Sequence, residues 1–407
     1  MKIKKLHIYL AFLLSVLFGN QKINCQEPVF SQFNMNPIYM NPALSGINNV
    51  WSLGLNLRQQ WPTVTSKFLT QSISFDTPLA PFARRSSFSI CYLRNIEGEG
   101  FLNSNYIRSG ISYMIPLIPN QRNKNNMSLK LALEYQNYSR SIDWSRLIFL
   151  DELHPLHGDI YNSSFIAPNN FSNNSNNFHF GTLITMNKNE GSEKRKRNVK
   201  FSRYILLGFA AHNMVERGDN FIYSNYFIPK KYTFHGEIWW NDREFEQFSG
   251  IRIMKHSFFY QQQSVFRTLQ IGLFETDFLP FNFGVFYRQQ ATRIKTDSDP
   301  YESIYLKLGF KKPLANNLSM TFAFSKDFTI SNLKTHTNGI NEFSIIIKSM
   351  KYGILTNAEK EKTYKLKNQT SCQFYKEYDG NLYSGGLNPL INSNRKKNKK
   401  GMFNISN

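Results

Sequence analysis

The chain has 407 residues, a formal net charge of +21 and a mean hydropathy of -0.42. A mean hydropathy this polar excludes a membrane protein built from apolar helices, and three cysteines are too few for a disulfide framework. The excess positive charge is spread over the chain, and part of it is concentrated in the last fifty-odd residues.

The first residues have the pattern of a secretory signal peptide. Three lysines among the first five residues precede an apolar run, Leu6 to Phe18, that is shorter than the roughly 20 apolar residues a spanning helix needs. We therefore predict that residues 1–25 are a signal peptide and not a membrane anchor, with cleavage between Gly19 and Gln26. Export also argues against a nucleic-acid partner for the basic run at 194–197.

Residues 26–50 form a polar, asparagine-rich lead in front of the first strand. Its two Asn-Pro steps, at Pro37 and Pro42, favour extended or turn conformations over helix. The aromatic side chains of the lead that are suited to filling a lumen are Phe30, Phe33 and Tyr39. We interpret the lead as a candidate plug or docking segment.

Residues 51–350 alternate apolar and polar side chains in short segments. From Trp51 to Leu57 the odd positions are Trp or Leu and the even positions are polar or glycine, and the same division recurs at 129–136 and 318–325. Successive side chains of a strand point to opposite faces, so each segment has one face fit for lipid and one for water. Similar patterns lie at 67–77, 86–95, 105–115, 178–187, 203–212, 231–240, 248–254, 265–275, 281–290, 302–311 and 341–349.

About fourteen such segments predict an all-β, transmembrane, antiparallel up-and-down β-barrel, because only a closed barrel pairs every backbone group in lipid without helices. A secreted β-sandwich or propeller is the alternative, and a propeller would show blade motifs at a fixed period, which the sequence lacks. The charged residues that the alternation directs toward the lumen are Arg58, Asp76, Arg108, Lys130, Glu134, Glu237, Arg252, Arg288, Lys307 and Glu342.

The lengths of the connections predict the orientation of the barrel. Outer-membrane barrels have short periplasmic turns and longer outer loops. The long segments are 138–177, 213–229, 291–301 and 327–340, and the compact turns between them include 241–245, 276–280 and 312–316. We therefore expect a barrel in the outer membrane of a Gram-negative bacterium with both termini in the periplasm. Residues 351–407 are basic and poor in apolar side chains, which predicts a flexible, disordered periplasmic tail.

The sequence has no recognised catalytic motif, neither a Gly-rich phosphate loop nor a His-Glu-x-x-His or Gly-x-Ser-x-Gly element. Segment 151–159 gathers carboxylate and imidazole groups, but its spacing matches no known metal motif, and a solvated loop is the simpler interpretation. His212 and His235 lie on predicted strands, where lone histidines are usually structural. We expect no enzyme activity, no metal and no cofactor, and the sequence identifies no small-molecule substrate.

Several short motifs resemble one known family in order, spacing and residue type. The residues that carry this resemblance are Gln32, Phe33, Pro37, Tyr39, Asn41, Pro42 and Gly46 in the lead, Arg58 and Trp61 around the end of the first strand, and Asp76 in the second. Segments 325–333 and 342–344 resemble the closing hairpin of the same family, with Lys326 where an aromatic residue is usual. The chain is similar to the PorP/SprF family, outer-membrane proteins of the type IX secretion and gliding motility machinery of Bacteroidetes.

This resemblance implies a barrel that binds, exports or retains a large cell-surface adhesin, or that anchors the periplasmic motor complex. The partners it implies are outer-membrane lipid, a secreted adhesin and the type IX secretion and motor proteins. A passive diffusion porin is the second interpretation, which the long segment 138–177 keeps open. A porin would fold a loop into its lumen with a ladder of charges, whereas a secretion component would have an occluded lumen and an exposed docking surface.

Overall fold

The strands of this protein close into a ring in the computed structural model. The structure describes residues 27–64, 67–79, 85–99, 101–118, 126–154, 156–166, 172–190, 201–215, 228–242, 253–278, 280–292, 301–314, 318–330 and 338–349. The predicted signal peptide, the basic run at 194–197, Arg252 and the tail at 351–407 lie outside these residues.

Sixteen strands lie within the described ranges, and fourteen of them form one closed antiparallel barrel. The barrel strands are β1 (Ser52–Gln60), β2 (Lys67–Pro78), β3 (Ser86–Gly98), β4 (Leu102–Ile118), β5 (Asn126–Ser141), β8 (Ser172–Glu190), β9 (Phe201–His212), β10 (Lys231–Asp242), β11 (Ile253–Gln263), β12 (Phe266–Phe278), β13 (Phe281–Thr292), β14 (Tyr301–Leu314), β15 (Leu318–Thr329) and β16 (Ile340–Ser349). The two-residue strands β6 (Leu153–His154) and β7 (Gly158–Asp159) pair with each other outside the barrel. Each barrel strand pairs with its neighbours in the chain, and β1 pairs with β16 from Ser52 opposite Lys348 to Gln60 opposite Ile340. The predicted barrel of about fourteen strands is confirmed.

The two faces of the sheet divide as the alternation predicts. Along β1 the side chains of Ser52, Asn56 and Arg58 are buried inside the ring, whereas Leu55 and Leu57 are exposed on its outer face. The same division on β5 buries Lys130 and Glu134 and exposes Leu133. An apolar outer face and a polar inner face are the pattern of a barrel surrounded by lipid. Among the described residues, no helix is long and apolar enough to cross a membrane.

The prediction of a strand at 248–254 was wrong in position. The strand begins at Ile253 and runs to Gln263, and residues 248–252 lie outside the described part of the chain. One feature hides its alternation from the sequence. An aromatic run followed by three glutamines carries apolar side chains on both faces, with Phe259 pointing inward between outward neighbours.

The barrel has two distinct ends. The loop end is where β1 finishes at Gln60, and it carries the longest connections, 142–171 and 213–230. The turn end is where β1 begins at Ser52 and β16 finishes, with the backbone N–H of Ser349 donating to the carbonyl oxygen of Trp51 at 3.1 Å. The four long segments predicted from the sequence all lie at the loop end, and the compact turns predicted at 276–280 and 312–316 lie at the turn end. The compact turn predicted at 241–245 was wrong, because β10 ends at Asp242 and β11 begins only at Ile253.

Candidate functional site: the filled lumen

Residues 27–50, called the plug from here on, lie inside the barrel. Side chains or backbone groups of the plug bond to residues of β2, β5, β8, β10, β12, β15 and β16. These strands are distributed around the whole ring, and only a segment within the lumen can contact all of them. Almost all plug side chains from Glu27 to Gly46 are buried.

Three short helical turns shape the plug: a 3-10 turn at Phe33–Met35, a single α-helical turn at Pro37–Met40 and a second 3-10 turn at Pro42–Leu44. Two of them start with proline, whose fixed φ suits a first helical position and whose missing N–H has no partner to lose. Asn41 is extended before Pro42, and its side-chain oxygen accepts from the Ala43 backbone N–H at 2.9 Å, which caps the third turn. The Asn-Pro steps therefore set the path of the chain.

Asn41 fixes the plug to the wall formed by β8, β9 and β10. Its side-chain nitrogen donates to the carbonyl oxygens of Thr182 at 3.0 Å and Phe209 at 3.3 Å, and it lies 3.0 Å from Nε2 of His235. Gly181 makes this approach possible. A Cβ at this position would lie 2.9 Å from Pro42 Cγ and 3.0 Å from the Ala43 nitrogen.

Gln32 joins the plug to the opposite wall. Its backbone N–H donates to a carboxylate oxygen of Glu342 at 2.7 Å, and its side-chain nitrogen donates to Ser325 Oγ at 3.0 Å and to the Glu342 carbonyl oxygen at 2.9 Å. Arg58 is buried on the lumen face of β1 and donates to Gln60 at 2.6 Å. This set ties β15 and β16 to the plug close to the barrel seam.

Apolar contacts fill the space between these polar ties. The ring of Phe33 stacks on Phe259 with 5.3 Å between centroids and meets Phe286 edge-on at 6.3 Å. The ring of Tyr39 lies 4.6 Å from the guanidinium carbon of Arg108 and 4.6 Å from Nζ of Lys231. Both cations thus lie against an aromatic face, a geometry that favours them electrostatically.

At the turn end, the plug is held where it continues into β1. Gly46 has a φ of +61°, and its N–H donates to a carboxylate oxygen of Asp76 at 2.6 Å. The second Asp76 oxygen accepts from Ser52, and Nζ of Lys130 donates to the Ser45 carbonyl oxygen. A side chain at Gly46 would need a left-handed conformation that L-residues disfavour, and it would also overlap Ser87.

At the loop end, Glu27 is the ionic anchor of the plug. Its carboxylate pairs with Lys231, lies 3.6 Å from Arg108 and accepts from the Asn213 side chain at 2.7 Å. Burial alone would raise the pKa of this carboxyl, but Lys231 and Arg108 outweigh burial and lower the pKa of Glu27 to about 2. Glu27 is therefore ionised. A buried negative charge is normally unfavourable, and it is stabilised here by the two cations and the hydrogen-bond donor around it.

The other residues singled out from the sequence lie as follows. Pro37 is half-buried in the plug, while Trp61 lies at the rim of the loop end with a φ of +52°, and its N–H donates to the Gly339 carbonyl oxygen at 2.8 Å. Arg288 pairs inside the lumen with Asp327 at 2.7 Å, and Arg108 lies 3.8 Å from Glu134. Glu237 accepts from the Trp239 indole at 2.8 Å.

Sequence reasoning missed several residues that hold the plug, among them Glu27, Asn34 and Glu275. Glu275 receives hydrogen bonds from Asn34 at 3.2 Å and from Lys307 at 2.8 Å, and Lys255 is also 2.8 Å away. A bulge between Gly272 and Phe274 reverses the alternation just before Glu275. The alternation of the preceding residues therefore predicts that the Glu275 side chain points outward, whereas it points into the lumen.

The loop that gathers carboxylate and imidazole groups uses them to shape itself. Asp151 accepts from Ser163 at 3.0 Å and from the Ser164 backbone N–H at 2.7 Å, and Nδ1 of His154 accepts from the Leu156 N–H at 3.1 Å. Within the described ranges, no three His, Cys, Asp or Glu side chains converge as metal ligands would. The Nδ1 atom of His212 lies 2.8 Å from that of His179, and Nε2 of His212 lies 3.3 Å from the Met40 carbonyl oxygen of the plug.

The lumen is occluded at the level of the plug. Arg108, Arg288 and Glu342 all point into the ring, and each is 0% exposed. An aqueous channel would leave such side chains in contact with water, as the wide lumens of larger barrels do. The described residues of the long loop lie outside the ring instead, with Leu150 86% and Leu156 85% exposed.

A closed barrel with an apolar outer face and a lumen filled by its own amino-terminal segment defines a plugged outer-membrane β-barrel protein. The chain belongs to the PorP/SprF family, because the profile of the type IX secretion system membrane protein PorP/SprF matches residues 23–347. It is thus an outer-membrane component of type IX secretion. This family and the barrel fold are those predicted from the sequence, and both predictions are confirmed.

Solved structures that resemble this chain are barrels of low similarity. The CymD monoaromatic hydrocarbon channel has 10% identity and a TM-score of 0.34, over 80% of this chain and 93% of that chain. A Pseudomonas aeruginosa FadL homologue has 12% identity and a TM-score of 0.36, over 74% of this chain and 90% of that chain. At these scores the likeness says nothing about function. A comparison with curated proteins finds no match.

Proposed function

We propose that this protein is a docking component of the type IX machinery that binds or retains a large surface adhesin at its loop end and meets the motor complex at its turn end. The observation that carries the proposal is the occlusion of the lumen by the plug. A barrel closed in this way can bind partners at its two ends, but it gives solutes no continuous path through the lumen. This geometry argues against a passive diffusion porin.

The loop end supplies a surface suited to a protein partner. Leu150, Leu156 and Ile166 of the long loop are exposed, and no described part of the barrel covers them. Exposed apolar side chains grouped on one loop are typical of interaction sites. We assign this surface to the adhesin and the turn end to the periplasmic motor, with the loop end outside the cell.

Deletion of Gln26–Ile47 tests the role of the plug. The unmodified chain should conduct few ions across a planar lipid bilayer, whereas the deletion variant should conduct freely and lose adhesin display on cells. Unchanged conductance and unchanged display in the variant would reject the role of the plug. A high conductance in the unmodified chain would favour the porin.

Paired surface variants separate the two proposed ends. Leu150→Glu combined with Leu156→Glu alters the loop end, and Leu314→Glu makes the same change of character at the turn end, where β14 finishes. The loop-end variant should lose surface adhesin, while the motor proteins recovered with it from detergent-solubilised outer membrane should be unchanged. Equal adhesin display in both variants and the unmodified chain would contradict the assignment of the adhesin to the loop end.

A further inference from the structure

The direction in which the plug runs through the barrel follows from the partners of Glu27. Its backbone N–H donates to Oε1 of Gln263 at 2.8 Å, and its carboxylate pairs with Lys231 and accepts from Asn213 at 2.7 Å. Gln263 is the last residue of β11, Lys231 is the first of β10, and Asn213 follows the last residue of β9. All three lie where adjacent strands meet the loop end. Glu27 therefore lies at the loop end.

The other end of the plug lies at the opposite mouth. Gly46 donates to Asp76, which is two residues from the end of β2, and Ser45 accepts from Lys130, close to the start of β5. Both of these strand termini belong to the turn end, where β1 also begins. Between Glu27 and Gly46 the chain has crossed the whole lumen.

The position of Glu27 along the membrane normal follows from the outer face of β10. In the paired strands, Lys231 lies in one row with His212 and Gln263, and all three point inward. The outward apolar surface of β10 starts at the next residue, Tyr232, and continues with the exposed ring of Phe234. Glu27 thus lies at the edge of the apolar band and not at mid-membrane.

Internal contacts fix this direction of travel. The Tyr39 hydroxyl donates to the Pro28 carbonyl oxygen at 2.8 Å, and the Tyr39 ring lies against Lys231 and Arg108, the two cations that hold Glu27. The start of the plug is thereby clamped to a later part of the same plug. Reversing the segment would leave Glu27 buried without its cations, which is strongly unfavourable.

We propose that the plug enters the barrel from the loop end, so that the mature amino terminus is displayed on the same face as the long loop, at the cell surface. Signal cleavage is predicted between Gly19 and Gln26, which places the new terminus within about seven residues of Glu27. The last strand, β16, ends at the turn end of the barrel. This proposal differs from the expectation that both termini lie in the periplasm, because it places only the carboxyl-terminal side of the barrel there.

Epitope tags at three positions of the full-length chain test the proposal. One tag lies between Gln26 and Glu27, one follows Leu156 in the long loop, and one directly follows Ser349. Antibody staining of intact cells should be similar for the first two tags. For the third tag, staining should rise at least tenfold after the outer membrane is permeabilised. Amino-terminal sequencing checks that cleavage still precedes the first tag.

A tag before Glu27 that is hidden on intact cells, like the tag after Ser349, would overturn the proposal. A second measurement holds even if a tag disturbs folding. In a chain whose own cysteines are replaced by serine, Glu27→Cys with Asn213→Cys should be joined by a short bismaleimide, whereas Glu27→Cys with Asp76→Cys should not. The reverse pattern would equally overturn it. Bilayer conductance does not enter either readout, so failure of the proposed function is distinguishable from failure of this inference.

Discussion

Replacing Gly181 by alanine tests whether the plug is held against β8. The added Cβ would overlap the Asn41 side-chain oxygen and would lie 2.9 Å from Pro42 Cγ and 3.0 Å from the Ala43 nitrogen. A proline ring and a backbone nitrogen cannot swing aside as a long side chain does. The turn at Pro42–Leu44 must therefore move away from the wall.

The movement has a magnitude that the structure allows us to work out. It separates the Asn41 side-chain nitrogen from its three partners, at 3.0 Å from Thr182, 3.3 Å from Phe209 and 3.0 Å from His235. At a net 0.5–1.5 kcal/mol for each hydrogen bond, the free energy of seating the plug should fall by about 2–4 kcal/mol. The population with a displaced plug should then rise by about 30-fold to 700-fold.

The assay is ion conductance of the purified full-length chain in planar lipid bilayers, with Gly236→Ala as the matched control. Gly236 is on the outer face of β10, two strands away from β8, where an added Cβ would meet the Phe258 ring and would lie 2.9 Å from Leu207 Cδ2. The control therefore adds similar crowding without touching the plug. Gly181→Ala should open the barrel and Gly236→Ala should not. Equal, low conductance in both variants would refute the reasoning.

Two further changes probe the ends and the middle of the plug. Phe33→Ala removes a ring that stacks on Phe259 at 5.3 Å, and it should lower the free energy of unfolding by about 3–5 kcal/mol, measured by denaturant titration in detergent; an unchanged midpoint would contradict this packing. The pKa of Glu27 is lowered from 4.5 to about 2. Its ion pairs therefore contribute fully to the free energy of seating the plug above pH 4.5, and this contribution is lost as the pH falls through 2. Conductance should therefore rise between these values in the unmodified chain. Glu27→Gln should already conduct at pH 7 and lose that rise, whereas a rise that persists in the variant would point to another group.

The fold was predictable because lipid imposes a simple rule on each strand. One face must be apolar and the other polar, and segments such as Trp51–Gln60 follow this pattern without interruption. The rule fails where the backbone departs from it. The bulge in β12 shifts the alternation between Gly272 and Phe274 and explains the missed Glu275. The misplaced strand, β11, alternates regularly, but it has aromatic side chains on both faces, which hides the pattern.

The plug was predictable in outline and not in its contacts. Its aromatic and Asn-Pro content suggested a segment that fills a lumen, and the structure places Phe33, Tyr39 and Asn41 there. The role of Glu27 could not be predicted from periodicity. A segment without regular secondary structure has no repeating pattern of buried and exposed positions that the sequence could reveal. The role of Glu27 depends on Lys231 and Arg108, which are far away in the chain and meet it only when the ring is complete.

The seam between β1 and β16 sets an order of events for biogenesis. Residues 52 and 348 are paired there, so the ring cannot shut until the last strand has been delivered. The plug precedes the first strand, and Gln32 bonds to Glu342, a residue 310 positions later. The bond between Gln32 and Glu342 can therefore form only once β16 has been delivered. Final seating of this part of the plug thus depends on the last step of strand insertion.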